Sequence, residues 1–307
     1  MRIPFLLLYV LVMLTSCNVV RMGERQADRA LRRAGAVEHT YSTPGGPRHT
    51  RNVITGKPVL MLVHGINGSG RMWARNAGCL STRFDLILPD LIGHGRSTRA
   101  WTGNSVDEQV EHLRIILDSS GVKAPVHLVG CSYGGGVVAN FAERYPERVK
   151  TLVIYDGPAS DYSSAMADSI AQRAGATDII DLFAPENADE QDRLFRLALF
   201  DPPWMPRFAL RQINERSKRE REPCLALLRD LRANGEHYVS KRYAWPMPTF
   251  LIWGEADRLI PLSVARAIQA RHGLPADHLI VIPKAGHAAN YEQQEAFESA
   301  LLRILVD

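Results

Sequence analysis

A short apolar segment, a turn of the form Gly-x-Ser-x-Gly and a helical segment follow one another in the middle of the chain. Residues 126–129 form the apolar run, residues 130–134 (Gly-Cys-Ser-Tyr-Gly) the turn, and residues 137–142 part of the helix. A serine on so sharp a turn takes a strained backbone conformation, and side chains at the two glycine positions would collide with the returning helix. The pattern predicts that Ser132 lies exposed at the carboxyl end of a buried strand, where its hydroxyl can act as a nucleophile.

The chain alternates between predicted strands and helices from residue 58 onwards. Strands are predicted at 59–63, 84–88, 126–129, 151–155, 249–253 and 278–282, and helices at 106–118, 135–145, 263–272 and 292–304. Short, continuously apolar strands separated by helices are typical of a mainly parallel sheet with helices on both faces. The predicted fold class is therefore α/β, with residues 58–156 and 247–307 forming the core.

The charge of the chain is nearly balanced. The 307 residues include 37 basic and 33 acidic side chains, a net charge of +4, and no long tract of one sign. This balance weighs against nucleic acid as a partner. The densest charge cluster, residues 207–222, is interpreted as the solvated face of a helix rather than a binding patch.

The amino terminus has the pattern of an export signal. Arg2 precedes an apolar run over 5–14, which is too short to span a bilayer comfortably, and small residues follow. Leu14-Thr15-Ser16-Cys17 resembles the bacterial lipobox, which implies cleavage before Cys17 and acylation of that residue. Such a protein is exported and anchored by lipid to a bacterial membrane, at the periplasmic face or the outer membrane. An uncleaved anchor and a true start at Met22 remain alternatives.

The segment 18–57 is predicted to be a tether, with a short helix over 24–34 and a hairpin whose turn is 43–47. If Cys17 is acylated, three cysteines remain, so at least one is a free thiol in a monomer. Cys131 is interpreted as a small packing residue, and a disulfide between Cys79 and Cys224 is left open. No Cys-x-x-Cys or histidine-rich spacing predicts a metal site.

Beyond the serine turn, the chain from residue 58 to the C-terminus resembles the α/β-hydrolase family of esterases, lipases, haloperoxidases and C–C bond hydrolases. In that family Gly-x-Ser-x-Gly is the nucleophile elbow, and an acid and a histidine follow it in chain order. Residues 250–261 (FLIWGEADRLIP) resemble the segment that carries the acid, which places it at Asp257. Gly286-His287 resembles the C-terminal motif that carries the base. Asp156, which follows the strand after the elbow, remains an alternative acid.

The resemblance also implies an oxyanion hole made of backbone N–H groups. One belongs to Tyr133, after the nucleophile, and the other to Ile66, in the loop that follows the strand at 59–63. His64 in that loop and His94 in the segment 88–97 are interpreted as structural.

The same resemblance places a helical cap at residues 157–246, which show helical periodicity and no convincing strand. Six of its apolar and aromatic side chains are candidates for lining a substrate pocket, although each is more simply part of the cap core: Phe183, Phe195, Phe200, Trp204, Met205 and Phe208.

Taken together, these motifs predict a lipid-anchored serine hydrolase that cleaves carboxylic esters through an acyl-enzyme intermediate. Its substrate is expected to be a small-molecule or lipid ester, and neither a metal nor an organic cofactor is implied. Two alternatives remain, namely a C–C bond hydrolase with the same three residues and a non-catalytic, ligand-binding lipoprotein with a hydrolase-like fold.

Overall fold

The computed structural model describes residues 18–99 and 106–306. Within them lies an eight-stranded sheet, whose strands in chain order are β1 (Val37–Tyr41), β2 (Arg48–Val53), β3 (Val59–Val63), β4 (Asp85–Pro89), β5 (Val126–Cys131), β6 (Val149–Tyr155), β7 (Thr249–Gly254) and β8 (Leu279–Ile282). Their spatial order is β1-β2-β4-β3-β5-β6-β7-β8. The six strands from β3 to β8 are parallel, and β1 and β2 extend the sheet as an antiparallel hairpin. The predicted α/β fold class is confirmed.

Twelve α-helices surround this sheet in the described residues, namely α1 (Val19–Arg33), α2 (Ala74–Leu80), α3 (Val106–Ser119), α4 (Tyr133–Arg144), α5 (Ser164–Arg173), α6 (Ile179–Leu182), α7 (Ala188–Ala198), α8 (Arg207–Asn234), α9 (Glu236–Val239), α10 (Leu262–His272), α11 (Ala289–Glu292) and α12 (Gln294–Val306). The predicted closing helix at 292–304 is divided into α11 and α12. Short 3₁₀ turns occur at Gly70–Trp73, Pro146–Arg148 and Ala276–His278.

The central strands are apolar on both sides because both faces of the sheet are covered. In β3, Met61 and Val63 belong to one buried apolar cluster, whereas Leu60 and Leu62 belong to another. Successive side chains of a strand point to opposite faces, so two clusters with alternating membership mark two covered faces. The first cluster includes residues of α3, α4, α10 and the cap segment, and the second includes residues of α1, α2 and α12.

The amino-terminal helix is longer than predicted and packs against the body of the protein. Asn18 caps it, because its side-chain oxygen accepts the amide N–H of Arg21 (2.9 Å). The side chain of Leu31 is buried, and the guanidinium of Arg71 binds the carboxylate of Asp28 at 2.6 and 3.0 Å. This segment is therefore a docked helix rather than a free tether.

Helices α5 to α9 lie in the chain between β6 and β7, over the span 157–246. A small apolar cluster of Cys224, Leu225 and Leu228 on α8 packs against Ile66 and Phe183. The long helix of the cap therefore contacts the loop after β3, which was expected to supply part of the oxyanion hole.

Cys79 and Cys224 are both free thiols in the described structure, so the disulfide that the sequence leaves open is not formed. No helix among the described residues combines the length and apolar character needed to cross a bilayer. The predicted export signal and Cys17 lie outside the described residues.

Candidate active site

Ser132 occupies the sharp turn between β5 and α4. Its backbone has φ 52° and ψ −125°, a conformation that non-glycine residues rarely adopt. A side chain at Gly130 would overlap the carbonyl oxygen of Gly134, and a Cβ at Gly134 would lie 2.5 Å from the carbonyl oxygen of His64. Both glycines are thus required by close backbone packing, as the motif predicts.

His287 and Asp257 come from two different loops at the carboxyl end of the sheet and are hydrogen bonded to each other. His287 Nδ1 lies 2.7 Å from Asp257 Oδ2. The other oxygen of Asp257 accepts the amide N–H groups of Leu259 (2.8 Å) and Ile260 (3.0 Å), which fixes the carboxylate in its loop. Because the carboxylate accepts from Nδ1–H, Nε2 of the imidazole is left able to accept a proton.

Asp156, the alternative acid, lies close to this pair but does not bind the histidine. Its Oδ1 accepts the amide N–H of Gly254 (2.8 Å), and its Oδ2 is buried without a hydrogen-bond partner. Burial, reinforced by the negative charge of Asp257, raises the pKa of Asp156 well above its usual value. One carboxylate oxygen of Asp156, one of Asp257 and one ring nitrogen of His287 lie within 4.8 Å of one another. The geometry therefore favours Asp257 over Asp156 as the partner of the histidine.

The two residues expected to supply the oxyanion hole, Ile66 and Tyr133, line the same cavity as Ser132. Neither of their backbone N–H groups donates a hydrogen bond to another described residue. The loop that carries Ile66 approaches Ser132 closely, since a Cβ at Gly65 would lie 2.9 Å from the Cβ of Ser132. Two free donors and a close glycine loop are the arrangement that an oxyanion hole requires.

Two neutral histidines hold this loop in place, as their structural interpretation predicts. His64 Nε2 accepts the amide N–H of Leu91 (3.0 Å), so its Nδ1–H donates to the carbonyl oxygen of Gly65 (2.7 Å). His94 Nε2 likewise accepts the amide N–H of Asn67 (3.2 Å). Burial lowers the pKa of His64 to about 3 and also lowers that of His94, which keeps both rings neutral.

The cavity beside Ser132 is roofed by the cap and encloses about 1020 Å³, including its open mouth. Its lining comes from α3, α4, α5, α6, α8 and α9, together with loops that include those after β3, β6 and β7. The described lining side chains other than Ser132, His287, Ile66 and Tyr133 include Val106, Tyr162, Ala167, Ile179, Phe183, Leu228, Leu231, Tyr238, Tyr243, Leu259 and Ile260.

Most of the aromatic residues proposed for this pocket lie elsewhere. Of the six cap residues suggested by the sequence, the cavity is lined by Phe183, whereas Phe200 and Trp204 are exposed to solvent. The tyrosines that do line it sit at the ends of helices or in loops, where no periodic pattern marks them.

The sequence also gives no indication of the role of Glu292. Its carboxylate accepts the amide N–H groups of Gly286 (2.7 Å), Phe200 (2.7 Å) and Asp201 (3.1 Å). Glu292 thereby joins the histidine loop to the cap. In the sequence, Glu292 is marked only by its position five residues after His287. That position does not predict its hydrogen bonds to Gly286, Phe200 and Asp201.

A sequence model of the alpha/beta hydrolase fold matches residues 58–294, which is more than half of the chain. The chain belongs to the α/β-hydrolase fold family. Among its relatives, Lipase 3 of a Moraxella species is 26% identical over 245 residues, covering 78% of this chain and 74% of that protein. A 2-hydroxy-6-oxononadienedioate/2-hydroxy-6-oxononatrienedioate hydrolase of Paraburkholderia phymatum is 28% identical over 268 residues, covering 84% and 90%.

Solved structures agree on the fold. A bacterial membrane phospholipase A superimposes with a TM-score of 0.78 at 22% identity, covering 98% of this chain and 97% of that one. This α/β-hydrolase therefore shares its fold with lipases, and its sequence relatives include both lipases and a C–C bond hydrolase.

Proposed function

We propose that this α/β-hydrolase is a serine hydrolase that cleaves carboxylic esters and is anchored to a membrane. The observation that carries the proposal is the hydrogen bond of His287 Nδ1 to Asp257 Oδ2 (2.7 Å) at the edge of an apolar cavity that Ser132 also lines. A nucleophile, a base and an acid that orients the base are the three groups that acyl transfer through serine requires.

In the proposed reaction, Ser132 Oγ attacks the ester carbonyl while His287 Nε2 takes the serine proton. The N–H groups of Ile66 and Tyr133 stabilise the negative charge on the carbonyl oxygen. The imidazolium then gives its proton to the departing alcohol, which leaves an acyl-enzyme. A water molecule attacks this ester with the same histidine as base, and the collapse of the second intermediate returns the proton to Ser132 and releases the acid.

The charge of the cavity favours an uncharged ester over a dicarboxylate. Arg232 is the one permanently charged residue among the described residues that line the cavity. Its guanidinium is already bound by Asp168 (2.6 Å) and Asp178 (2.9 Å). A doubly negative substrate would lose its hydration here without gaining an unpaired cation, which is unfavourable. The apolar side chains around Arg232 suit an acyl chain instead.

The C–C bond hydrolase remains the second candidate, because one relative is named for that activity and spans most of the chain. The two reactions are separated by measuring nitrophenyl esters of increasing acyl length beside a 2-hydroxy-6-oxo-dienoate. We expect ester turnover to exceed turnover of the dienoate. Faster turnover of the dienoate would overturn the choice of ester.

The serine mechanism itself is tested with a fluorophosphonate probe. The wild-type protein is expected to label and Ser132→Ala is expected not to, with Ser160→Ala, at a buried serine, as the control. No labelling of the wild-type protein, or equal labelling of Ser132→Ala, would show that the proposed function is wrong, and would leave the non-catalytic binding protein as the better reading.

The membrane anchor rests on the amino-terminal sequence alone. If Cys17 is acylated, the protein from bacterial membranes carries the added acyl mass and partitions into detergent. A Cys17→Ala variant that remains acylated and processed at the same position would overturn the lipobox assignment.

A further inference from the structure

Helix α1 presents a stripe of arginines to solvent. Arg21, Arg25, Arg29 and Arg32 are separated by four, four and three residues, a spacing that places them along one side of a helix. All four side chains are exposed, and none forms an ion pair with another described residue. Met22, which is 54% exposed, belongs to the same solvent-facing side.

The acidic residues of α1 do not neutralise this stripe, because the body of the protein already binds them. The carboxylate of Glu24 pairs with Arg216 on the cap helix α8. That of Asp28 pairs with Arg71, in the 3₁₀ turn that follows the oxyanion loop. The side chain of Leu31, on a different side of α1, is buried. The helix is thus held by its apolar and acidic residues. Arg21, Arg25 and Arg29 form no ion pair with a described residue, and Arg32 interacts with the charge of Asp28, which Arg71 already binds.

We propose that this arginine stripe, Arg21, Arg25, Arg29 and Arg32, binds the surface of an anionic lipid bilayer. The proposal rests on the membrane anchor of the proposed function. The occupant is argued from the chain that precedes the helix, since an apolar run at 5–14 and a lipobox-like Cys17 come immediately before it. An anchor at Cys17 would hold α1 beside a bilayer, where each arginine near an anionic surface is attracted to the head groups. An exposed methionine among arginines also suits the boundary between head groups and acyl chains.

The position of α1 also brings part of the cap close to the bilayer. The amide N–H of Val19 donates to Gln212 Oε1 on α8 (2.8 Å). Cys17 precedes Val19 by two residues, and two residues of extended chain span at most roughly 7 Å, so an acyl anchor on Cys17 would begin close to the cap helix. Binding of the stripe to lipid therefore brings the amino-terminal part of the cap helix α8 close to the membrane surface.

The test is a competition between two vesicle populations for the full-length protein purified in detergent. One population is phosphatidylcholine, and the other is phosphatidylcholine with 30 mol% phosphatidylglycerol, loaded with sucrose so that the two separate by density. The distribution ratio removes the contribution of the anchor, which is common to both. Each arginine near an anionic surface contributes about a fivefold preference, so two engaged arginines predict a ratio of roughly 25 at low salt. Salt at 0.5 M should remove most of it.

Three variants make the test specific. R21Q/R25Q/R29Q/R32Q is expected to lower the ratio at least fivefold, and R21K/R25K/R29K/R32K to retain it because the charge is kept. The matched control is R83Q/R242Q/R266Q/R303Q, which removes four other exposed arginines that form no ion pair with described residues. The proposal is overturned if the first variant keeps the wild-type ratio or if the control lowers it equally.

Nucleic acid is the rival occupant of a basic stripe. A wild-type ratio near one, together with binding of duplex DNA that R21Q/R25Q/R29Q/R32Q abolishes, would also overturn the proposal. Fluorophosphonate labelling of Ser132 is measured on every sample. If the wild-type protein prefers anionic vesicles but does not label, the serine hydrolase is refuted and the docking surface is not. If it labels but shows no preference for anionic vesicles, the docking surface alone is refuted.

Discussion

Replacing Asp257 by asparagine tests which of two neighbouring carboxyl groups orients the histidine. Asparagine has the same shape as aspartate, and its oxygen can still accept the amide N–H groups of Leu259 and Ile260. Its amide nitrogen then faces His287 Nδ1, where the wild-type protein has a carboxylate oxygen at 2.7 Å. Two donors cannot share this contact, so the imidazole must carry its proton on Nε2 instead.

The expected loss follows from that change of tautomer. With a proton on Nε2, the histidine cannot take the proton of Ser132, and the positive charge that would form on the ring has no carboxylate beside it. In serine hydrolases of this type, the substitution lowers kcat by about 10⁴-fold. At about 1.36 kcal/mol for each factor of ten, this corresponds to roughly 5.5 kcal/mol of transition-state stabilisation.

Asp156→Asn is the matched variant, because it alters the rival carboxyl group by the same single atom. The raised pKa of Asp156 means that it is uncharged over a wider range of pH than an ordinary aspartate. Asparagine is also uncharged and can keep the acceptor for the amide N–H of Gly254. We therefore expect kcat to change by less than about threefold.

The assay is kcat and KM on a short-chain nitrophenyl ester for both variants, with thermal unfolding to show that each is folded. The reasoning is refuted if Asp156→Asn abolishes turnover while Asp257→Asn retains it, since the acid would then be Asp156. Equal loss in both variants would refute the claim that Asp156 stands outside the pair.

The Asp156→Asn variant should also change how the stability of the protein depends on pH. A carboxyl group whose pKa is raised by folding stabilises the folded state fully at low pH, and this contribution is lost as pH rises from the usual aspartate range toward the raised pKa. Asp156→Asn has no such titration. The difference in melting temperature between Asp156→Asn and wild type should therefore grow from pH 4 to pH 8. A difference that stays constant over this range would contradict the raised pKa.

Three further predictions concern the loops around the site. Gly65→Ala places a Cβ 2.9 Å from the Cβ of Ser132 and should lower kcat/KM at least about 100-fold. The control Gly78→Ala, whose Cβ meets open space, should leave kcat/KM unchanged. Equal activity of the two variants would contradict the close approach of Gly65 to Ser132. Glu292→Ala removes three hydrogen bonds from the histidine loop and cap and should lower kcat roughly tenfold, and an unchanged kcat would refute its positioning role. Burial lowers the pKa of His64 to about 3, so the free energy of unfolding should fall as pH drops from 6.5 toward 3. Urea titrations at several pH values should show a shallower decline for His64→Gln than for the wild-type protein.

The elements around the nucleophile could be predicted from the sequence because local patterns specify them. The strand at Val59–Val63 lies where its apolar run predicts, and β5 and α4 enclose the Gly-x-Ser-x-Gly turn as expected. The amino-terminal helix is five residues longer at its start than the predicted 24–34, because the side chain of Asn18 caps it. The predicted closing helix is interrupted by one residue between α11 and α12, a local break that the apolar periodicity does not reveal.

The lining of the cavity could not be predicted in the same way. Phe200 and Trp204 have the same chemical character as Phe183, yet they are exposed while Phe183 faces the cavity. Their environments depend on how the cap packs over the sheet, which requires contacts between segments far apart in the chain. Glu292 is a further example, because its partners lie 6 and 92 residues away from it.

By itself the sequence determined the fold class and the sharp turn at Ser132, because strand periodicity and turn-forming glycines act over a few neighbouring residues, and its resemblance to α/β-hydrolases pointed to Asp257 and His287. Only the tertiary structure decided that Asp257 rather than Asp156 binds the histidine, and that the arginines of α1 face solvent while its acids face the protein. Those choices depend on distances of a few ångströms between segments that meet only when the sheet, the cap and α1 have packed together.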